Sequence, residues 1–487
     1  MKKEIEKLVH DHPLPAWFDD AKFGIFIHWG LYSVPAFAPA EADMIEMQKK
    51  SVQHHLKHNP YAEWYLNSLR IDGSPVQQYH EKTYGNKPYE SFAEDFNSTL
   101  HKWHPGDWAD LFKQSGAKYM VLVTKHHDGF IMWPTDNPNP LKPGYHATRD
   151  IPGELAREVR ARGLRFGTYY SGTLDWAFQP EPIVDFASMA INGPTSTQYI
   201  EYANAHWHEL IDRYGPSILW NDIGYPPGTD IEELFAYYYS KHPDGVINDR
   251  WMQVSPRIRG AFKNRFVRWM ANGIAAMAIR SGKTSINPGH HHDFVTPEYK
   301  TYPDIRKKKW ECTRGIGFSF GYNQVETDSQ YMSSDALVHM LVDIVSKNGN
   351  LLLNIGPMAD GTIPAIQRER VLALGKWLDA NGDAIYGTRP WNRATTTTSE
   401  NIAVRFTRKG DDLFMILLDT PEARRTRVKS LRLPAGCKLE LLATGTDLKW
   451  TQDGPDVAFT TQDFPVGTPA HAIKASGACS PLTCLRA

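Results

Sequence analysis

The sequence predicts an α/β protein: a (β/α)8-like barrel of the TIM type, followed by a C-terminal β-sandwich domain. Three observations carry this prediction. Up to about residue 387, apolar runs of strand length that end in polar or aromatic residues alternate with amphipathic helical stretches. From about Thr388 the pattern changes to short alternating segments divided by Gly, Asp and Pro turns, as in a sandwich. A chain of 487 residues has room for one large barrel and one smaller domain. The expected boundaries are a catalytic barrel over 1–387 with a basic insertion at about 252–292, a sandwich over 388–475, and a disordered tail over 476–487.

The unit around Asp222 is the clearest. Ile200, Ala203, Trp207, Leu210 and Tyr214 fall on one helical face, and Gly215-Pro216 stops that helix. The run Ile218-Leu219-Trp220 reads as a buried strand with Asp222 at its C-terminal tip. A helix opening with Thr229-x-x-Glu232 follows at once. Barrels keep their chemistry at such tips, so Asp222 is a candidate nucleophile. The alternative is a loop aspartate that caps the next helix.

The other strands follow the same rule. Phe23–Gly30 is apolar throughout and carries His28 and Trp29 near its end. Lys118–Thr124 runs into Lys125-His126-His127-Asp128, and Arg165–Tyr170 into Ser171-Gly172. Gly245–Asn248 ends in Asp249-Arg250-Trp251, Gly315–Tyr322 is Gly-rich and strand-like, and Leu351–Pro357 closes the series. Asn59–Tyr65 lies in a long irregular segment after the first strand, where a site wall is built. From Trp251 to His292 there are seven Lys or Arg and no Asp or Glu, with Phe262, Phe266, Trp269, Met270, Ile274 and Met277 on one helical face. That insertion reads as a lid, a subunit contact or an aglycone wall, or as a basic surface helix packed on the barrel. The sandwich has no catalytic cluster and reads as a support for the barrel, with a sugar-binding module as the second option.

Composition excludes several functions. With 41% hydrophobic and 22% charged residues and a net charge of -1, the chain has no electrostatic footprint for nucleic acid or acidic membrane. No run approaches eighteen apolar residues, and the charged start Met1-Lys2-Lys3-Glu4 carries no apolar signal core, so the cytoplasm is the expected location. The four cysteines form no C-x-x-C pair, which indicates neither a disulfide framework nor a zinc site. Fifteen Trp and twenty-two Tyr beside His and carboxylates lean toward a sugar site.

Side by side, the tips offer His28, His126, His127, Tyr169, Asp222 and Arg250, with Glu63 and Glu298 from longer loops. Metal hydrolysis would need converging histidines. His126-His127-Asp128 and His290-His291-His292-Asp293 are candidates, but neighbours on a strand point to opposite faces. Retaining glycoside hydrolysis needs one ionised and one protonated carboxyl about 5–5.5 Å apart. Asp222 with Glu298 or Glu311 can supply that pair.

Seven stretches then carry a resemblance. Phe23–Gly30, Pro60-Tyr61-Ala62-Glu63-Trp64-Tyr65, Lys125–Phe130, Tyr169–Gly172, Trp220-Asn221-Asp222, Asn248–Trp251 and Trp310-Glu311 closely resemble the α-L-fucosidases of glycoside hydrolase family 29, in order and spacing from about Pro15 to Thr388. The resemblance implies a retaining exo-hydrolase that releases terminal α-L-fucose through a covalent fucosyl intermediate. It implies Asp222 as nucleophile and Glu298, in Thr-Pro-Glu-Tyr, as general acid/base. His28, Glu63, Trp64, His126, His127, Tyr169 and Arg250 match fucose-contacting positions, with Trp220 counted beside them. Tyr61 and Phe320 match the apolar wall near the C6 methyl. The implied partner is a fucosylated oligosaccharide or glycoconjugate, with no nucleic acid, membrane, cofactor or metal, and the sequence is compatible with a homo-oligomer. The basic insertion is the departure. It lengthens the route from Arg250 to Glu298, so Glu311 is the fallback acid/base.

Overall fold

The computed structural model describes residues 2–281 and 289–479. Seven parallel strands form one curled sheet: β1 (Phe23–Ile27), β2 (Tyr119–Lys125), β3 (Arg165–Ser171), β4 (Ile218–Asp222), β5 (Val246–Ile247), β6 (Trp310–Gly315) and β7 (Gly349–Ile355). They lie in the order β5-β4-β3-β2-β1-β7-β6. All residues of β1, β2, β4, β5 and β7 are buried, which is why these strands read as unbroken apolar runs.

An eighth extended stretch joins the two edges. Phe294 bridges to Asn248 beyond β5, while Val295 and Glu298 bridge to Trp310 and Thr313 of β6. The Asp293 N–H donates to the Ile247 carbonyl (2.9 Å), and the Glu311 and Thr313 N–H groups donate to the Val295 and Pro297 carbonyls (2.8 and 3.1 Å). Pro297 has no N–H to give, so the ladder here is broken into single bridges. The result is a (β/α) barrel with Glu298 at the C-terminal end of its irregular eighth member.

Two local expectations shift. The strand expected over Gly315–Tyr322 lies earlier, at Trp310–Gly315, because Trp310, Glu311, Cys312 and Thr313 are the buried residues that pair with β7. The helix after β4 spans Ile231–Lys241 and is capped by Asp230, whose side chain accepts from the Glu233 N–H, one residue beyond Thr229.

The insertion forms two helices, Pro256–Ala261 and Arg265–Arg280. The second lies across Phe186–Ile191 and Met44–Lys50 at the catalytic end of the barrel. Arg268 and Asn272 anchor it on Asp185 (2.8 and 3.0 Å), and Arg259 caps the carbonyls of Ala190, Ile191 and Gly193. Its apolar residues face outward: Phe266, Trp269, Ile274 and Met277 are each more than 60% exposed. Residues 282–288 of the insertion lie outside the described residues.

The described C-terminal residues form nine strands, β8 (Arg389–Thr397), β9 (Ala403–Lys409), β10 (Asp412–Leu417), β11 (Arg425–Val428), β12 (Lys438–Leu441), β13 (Thr446–Leu448), β14 (Trp450–Asp453), β15 (Asp456–Thr460) and β16 (His471–Ser476). They form a six-stranded sheet, β13-β12-β16-β10-β9-β8, and a three-stranded sheet, β11-β15-β14. Along β10 successive side chains enter different cores: Leu413, Met415 and Leu417 enter the core between the sheets, whereas Phe414 and Ile416 join the barrel's core. The Trp377 indole donates to the Ala470 carbonyl (2.8 Å), and Arg405 pairs with Asp343 (2.6 Å). The larger sheet is thus covered on both faces. Ser476 closes β16, and Ala478 and Cys479 are buried, where the sequence led us to expect a disordered tail. Residues 480–487 lie outside the described residues.

Candidate active site

The site begins with the coupling of two neighbouring strand tips. Asn248 beyond β5 accepts from the Asn221 N–H and donates to the Asn221 carbonyl (3.0 and 2.9 Å). The Asn221 amide then donates to the carbonyls of Gly224 and Arg250 (2.8 and 2.7 Å). Gly224 has φ +85°, and a Cβ there would meet the Met252 carbonyl at 2.3 Å, so the turn that holds Arg250 beside Asp222 requires glycine.

Arg250 joins the two carboxylates. Its Nη1 lies 2.9 Å from Asp222 Oδ1 and 3.3 Å from Glu298 Oε2, and Nη2 lies 3.2 Å from the same Glu298 oxygen. A shared nitrogen limits the separation of Asp222 Oδ1 and Glu298 Oε2 to about 6 Å, close to the spacing of retaining glycosidases and short of the inverting range. Thr296, on the same stretch as Glu298, fixes the guanidinium from behind through its hydroxyl (2.9 Å) and carbonyl (3.1 Å). Asp249 accepts from Thr296 (2.6 Å to the hydroxyl), so it braces the stretch that carries Glu298. The route lengthened by the insertion therefore returns the Glu298 segment to Arg250.

Asp222 is buried. It accepts from the Tyr169 hydroxyl (2.9 Å) and from the Ile223 N–H (3.0 Å), with His127 Nε2 at 3.7 Å. Burial alone would raise its pKa, but the Arg250 guanidinium and these donors outweigh it and hold the carboxyl below its ordinary value. Glu298 is more open, with a quarter of its side chain exposed, and its Oε1 accepts from the Tyr61 hydroxyl (2.8 Å).

Glu311 lies elsewhere. It is fully buried inside the barrel, where it accepts from Tyr119 (2.5 Å) and the Trp220 indole (3.2 Å). Burial pushes its pKa up to about 7. Trp220 turns its N–H down to Glu311 and carries the Arg250 guanidinium over its ring at 4.7 Å, so it underlies the site as a platform.

The remaining expected residues surround this pair. His28 is oriented by Asn354 (2.6 Å) and His127 by Ser171 (2.6 Å). Burial lowers the His28 pKa to about 3 and the His127 pKa to about 4, and it takes His126 well below its usual value, so all three are neutral at neutral pH. His126 packs against His28 and Tyr169, and its Nδ1 has no hydrogen-bond partner among the described residues. Glu63 accepts from the Gly321 N–H (2.8 Å) and the Ser319 hydroxyl (3.3 Å), and burial raises its pKa to about 7. Trp64 stands edge-on to His127, and Phe320 packs against His28 and Tyr61. Sequence reasoning missed the supports Asn354, Ser171, Thr296 and Ser319. Asn354 and Ser171, polar residues at the tips of buried strands, carried a readable signal.

A (β/α) barrel whose tips place two carboxylates on one arginine, amid neutral histidines and aromatic rings, defines a glycoside hydrolase. The chain belongs to the alpha-L-fucosidase family, whose model matches residues 1–383. It is 34% identical to the human tissue alpha-L-fucosidase over 460 residues, covering 91% of this chain and 84% of the relative. With the alpha-L-fucosidase of Dictyostelium discoideum it shares 32% identity, covering 94% and 92% of the two chains. The solved structure of Thermotoga maritima alpha-fucosidase in complex with a mechanism-based inhibitor is 42% identical, with a TM-score of 0.81 over 97% of this chain and 98% of that one.

Proposed function

We propose that this chain is a retaining, exo-acting α-L-fucosidase that removes terminal α-L-fucose from oligosaccharides or glycoconjugates. The observation that carries this reading is the single guanidinium nitrogen within hydrogen-bonding distance of both Asp222 and Glu298. The Asp222 carboxylate attacks the anomeric carbon as the glycosidic C–O bond breaks, and Glu298 delivers its proton to the departing oxygen. Water then attacks the fucosyl ester, Glu298 takes its proton, and Asp222 is released. His28, His126, His127, Tyr169, Glu63, Trp64 and Arg250 bind the sugar hydroxyls and hold the ring for attack, above the Trp220 platform. Phe320 and Tyr61 face the C6 methyl.

The same reading gives a cytoplasmic enzyme acting without a cofactor. It is supported by Cys312 and Cys437, which are buried free thiols, as a reducing compartment favours. Among the described residues no helix is long and apolar enough to cross a membrane.

Azide tests the roles. Glu298→Ala should slow natural substrates sharply, while azide partly restores turnover of an aryl fucoside. Asp222→Gly should lose nearly all activity and, with azide, yield the β-fucosyl azide. An α-azide from Asp222→Gly contradicts the retaining mechanism. Rescue in Glu311→Ala but not in Glu298→Ala reverses the acid/base assignment.

A further inference from the structure

At the end of the barrel opposite the catalytic pair, three potential ligands meet from three parts of the chain. His12 follows the N-terminal helix Lys2–His10, and His291 and Asp293 precede the stretch that closes the barrel. His12 Nδ1 lies 3.0 Å and His291 Nε2 3.6 Å from one oxygen, Asp293 Oδ1, and the three atoms lie within 4.8 Å of one another. The side chains of His12, His291 and Asp293 are 4%, 10% and 1% exposed.

The hydrogen bonds around them determine where the lone pairs point. His12 Nε2 faces the Pro243 carbonyl at 3.0 Å, and a carbonyl only accepts, so Nε2 carries the hydrogen. His12 Nδ1 in a neutral ring then turns its lone pair toward a carboxylate oxygen. That contact needs positive charge between the two atoms, either a proton or a metal ion. A proton on His12 serves that contact alone. His291 Nε2, which faces the Tyr239 hydroxyl at 3.0 Å, also converges on the same oxygen at 3.6 Å, so one ion in place of these hydrogens would satisfy both rings. The other carboxylate oxygen, Oδ2, is already held by the Tyr239 hydroxyl (2.8 Å) and the Ile247 N–H (2.7 Å), which leaves Oδ1 aimed at both rings. A carbonyl fixing the far nitrogen of a histidine and donors fixing the far oxygen of a carboxylate are the outer contacts that orient metal ligands.

We propose that His12 Nδ1, His291 Nε2 and Asp293 Oδ1 form a structural zinc site, with water in the fourth position. Two imidazoles and a carboxylate at this spacing suit a tetrahedral borderline ion such as Zn2+. The ion ties the N-terminal segment to the end of helix Ile231–Lys241 and to the base of the closing stretch. The sequence reading expected no metal because neighbouring histidines diverge. Here the second imidazole comes from His12, some 280 residues away. The site is separate from the proposed reaction, which needs no metal, so fucosidase activity does not report on it.

Untagged protein stripped with a chelator should be titrated with Zn2+ by calorimetry and with Co2+ by visible absorption. One equivalent should bind, Co2+ should give the intense bands of a tetrahedral site, and Zn2+ should raise Tm by several degrees. His291→Gln removes a ligand but leaves the His12–Asp293 pair, and it should weaken binding at least about tenfold while the chain stays folded. His12→Gln should do the same. Wild-type protein that binds no Zn2+ or Co2+, or binding of unchanged strength in both variants, overturns the proposal and leaves a proton-bridged pair.

Discussion

Ile223 and Tyr299 each follow one of the two paired carboxylates, and both adopt a left-handed backbone, with φ of 53° and 51°. For a β-branched or bulky residue this conformation costs about 1–3 kcal/mol. At Ile223 it turns the backbone N–H onto Asp222 Oδ1 at 3.0 Å.

Strain at Ile223 predicts an unusual balance. Ile223 is half-buried, so its truncation costs less than the about 2–5 kcal/mol of a buried isoleucine, and Ile223→Gly also relieves the positive φ. The expected net loss is below about 1 kcal/mol by denaturant unfolding, with kcat/KM reduced several-fold as Asp222 loosens. A loss above about 3 kcal/mol would mean that no strain is stored there.

Glu311 predicts a pH effect on stability. Burial holds its folded pKa at about 7, above the ordinary glutamate value. Stability contributed by the protonated form is therefore complete below about pH 4.5 and declines as pH rises toward 7, by about 3 kcal/mol. Glu311→Gln should flatten that decline and keep activity within about tenfold. Loss of activity as deep as that of Glu298→Gln would make Glu311 the acid.

Tyr169→Phe removes a donor from Asp222. Its pKa should rise, so the acid limb of kcat/KM moves to higher pH by up to about one unit, with a loss of about 10- to 100-fold at the optimum. A limb that stays in place would show that Tyr169 does not tune Asp222.

Phe320 predicts selectivity. An apolar wall rejects an added hydroxyl by only about a hundredfold. Phe320→Ala should narrow the preference for an aryl α-L-fucoside over the corresponding α-L-galactoside by about tenfold or more. An unchanged ratio would place the C6 methyl elsewhere.

Much of this was legible in the chain. Strands buried on both faces have to be apolar, so β1, β2, β4 and β7 stand out as runs, and a polar residue ending such a run, like Asp222 or His126, marks a site. The switch to alternating segments near Thr388 likewise follows from strands with one face in the core and the other toward solvent, as the burial along β11 and β12 shows. Only the tertiary structure decided which carboxylate stands opposite Asp222. Glu298 and Glu311 lie thirteen residues apart with similar aromatic neighbours, yet bridging to Thr313 sets Glu298 on Arg250, while strand pairing buries Glu311 under Trp220. The insertion helix makes the same point, because periodicity fixes which residues share a face and says nothing of what covers it. Trp269 and Met277 share theirs with solvent because Arg268 and Asn272 hold the opposite side of the helix on Asp185. Local sequence sets local conformation. Contacts between distant segments arise only when the barrel closes.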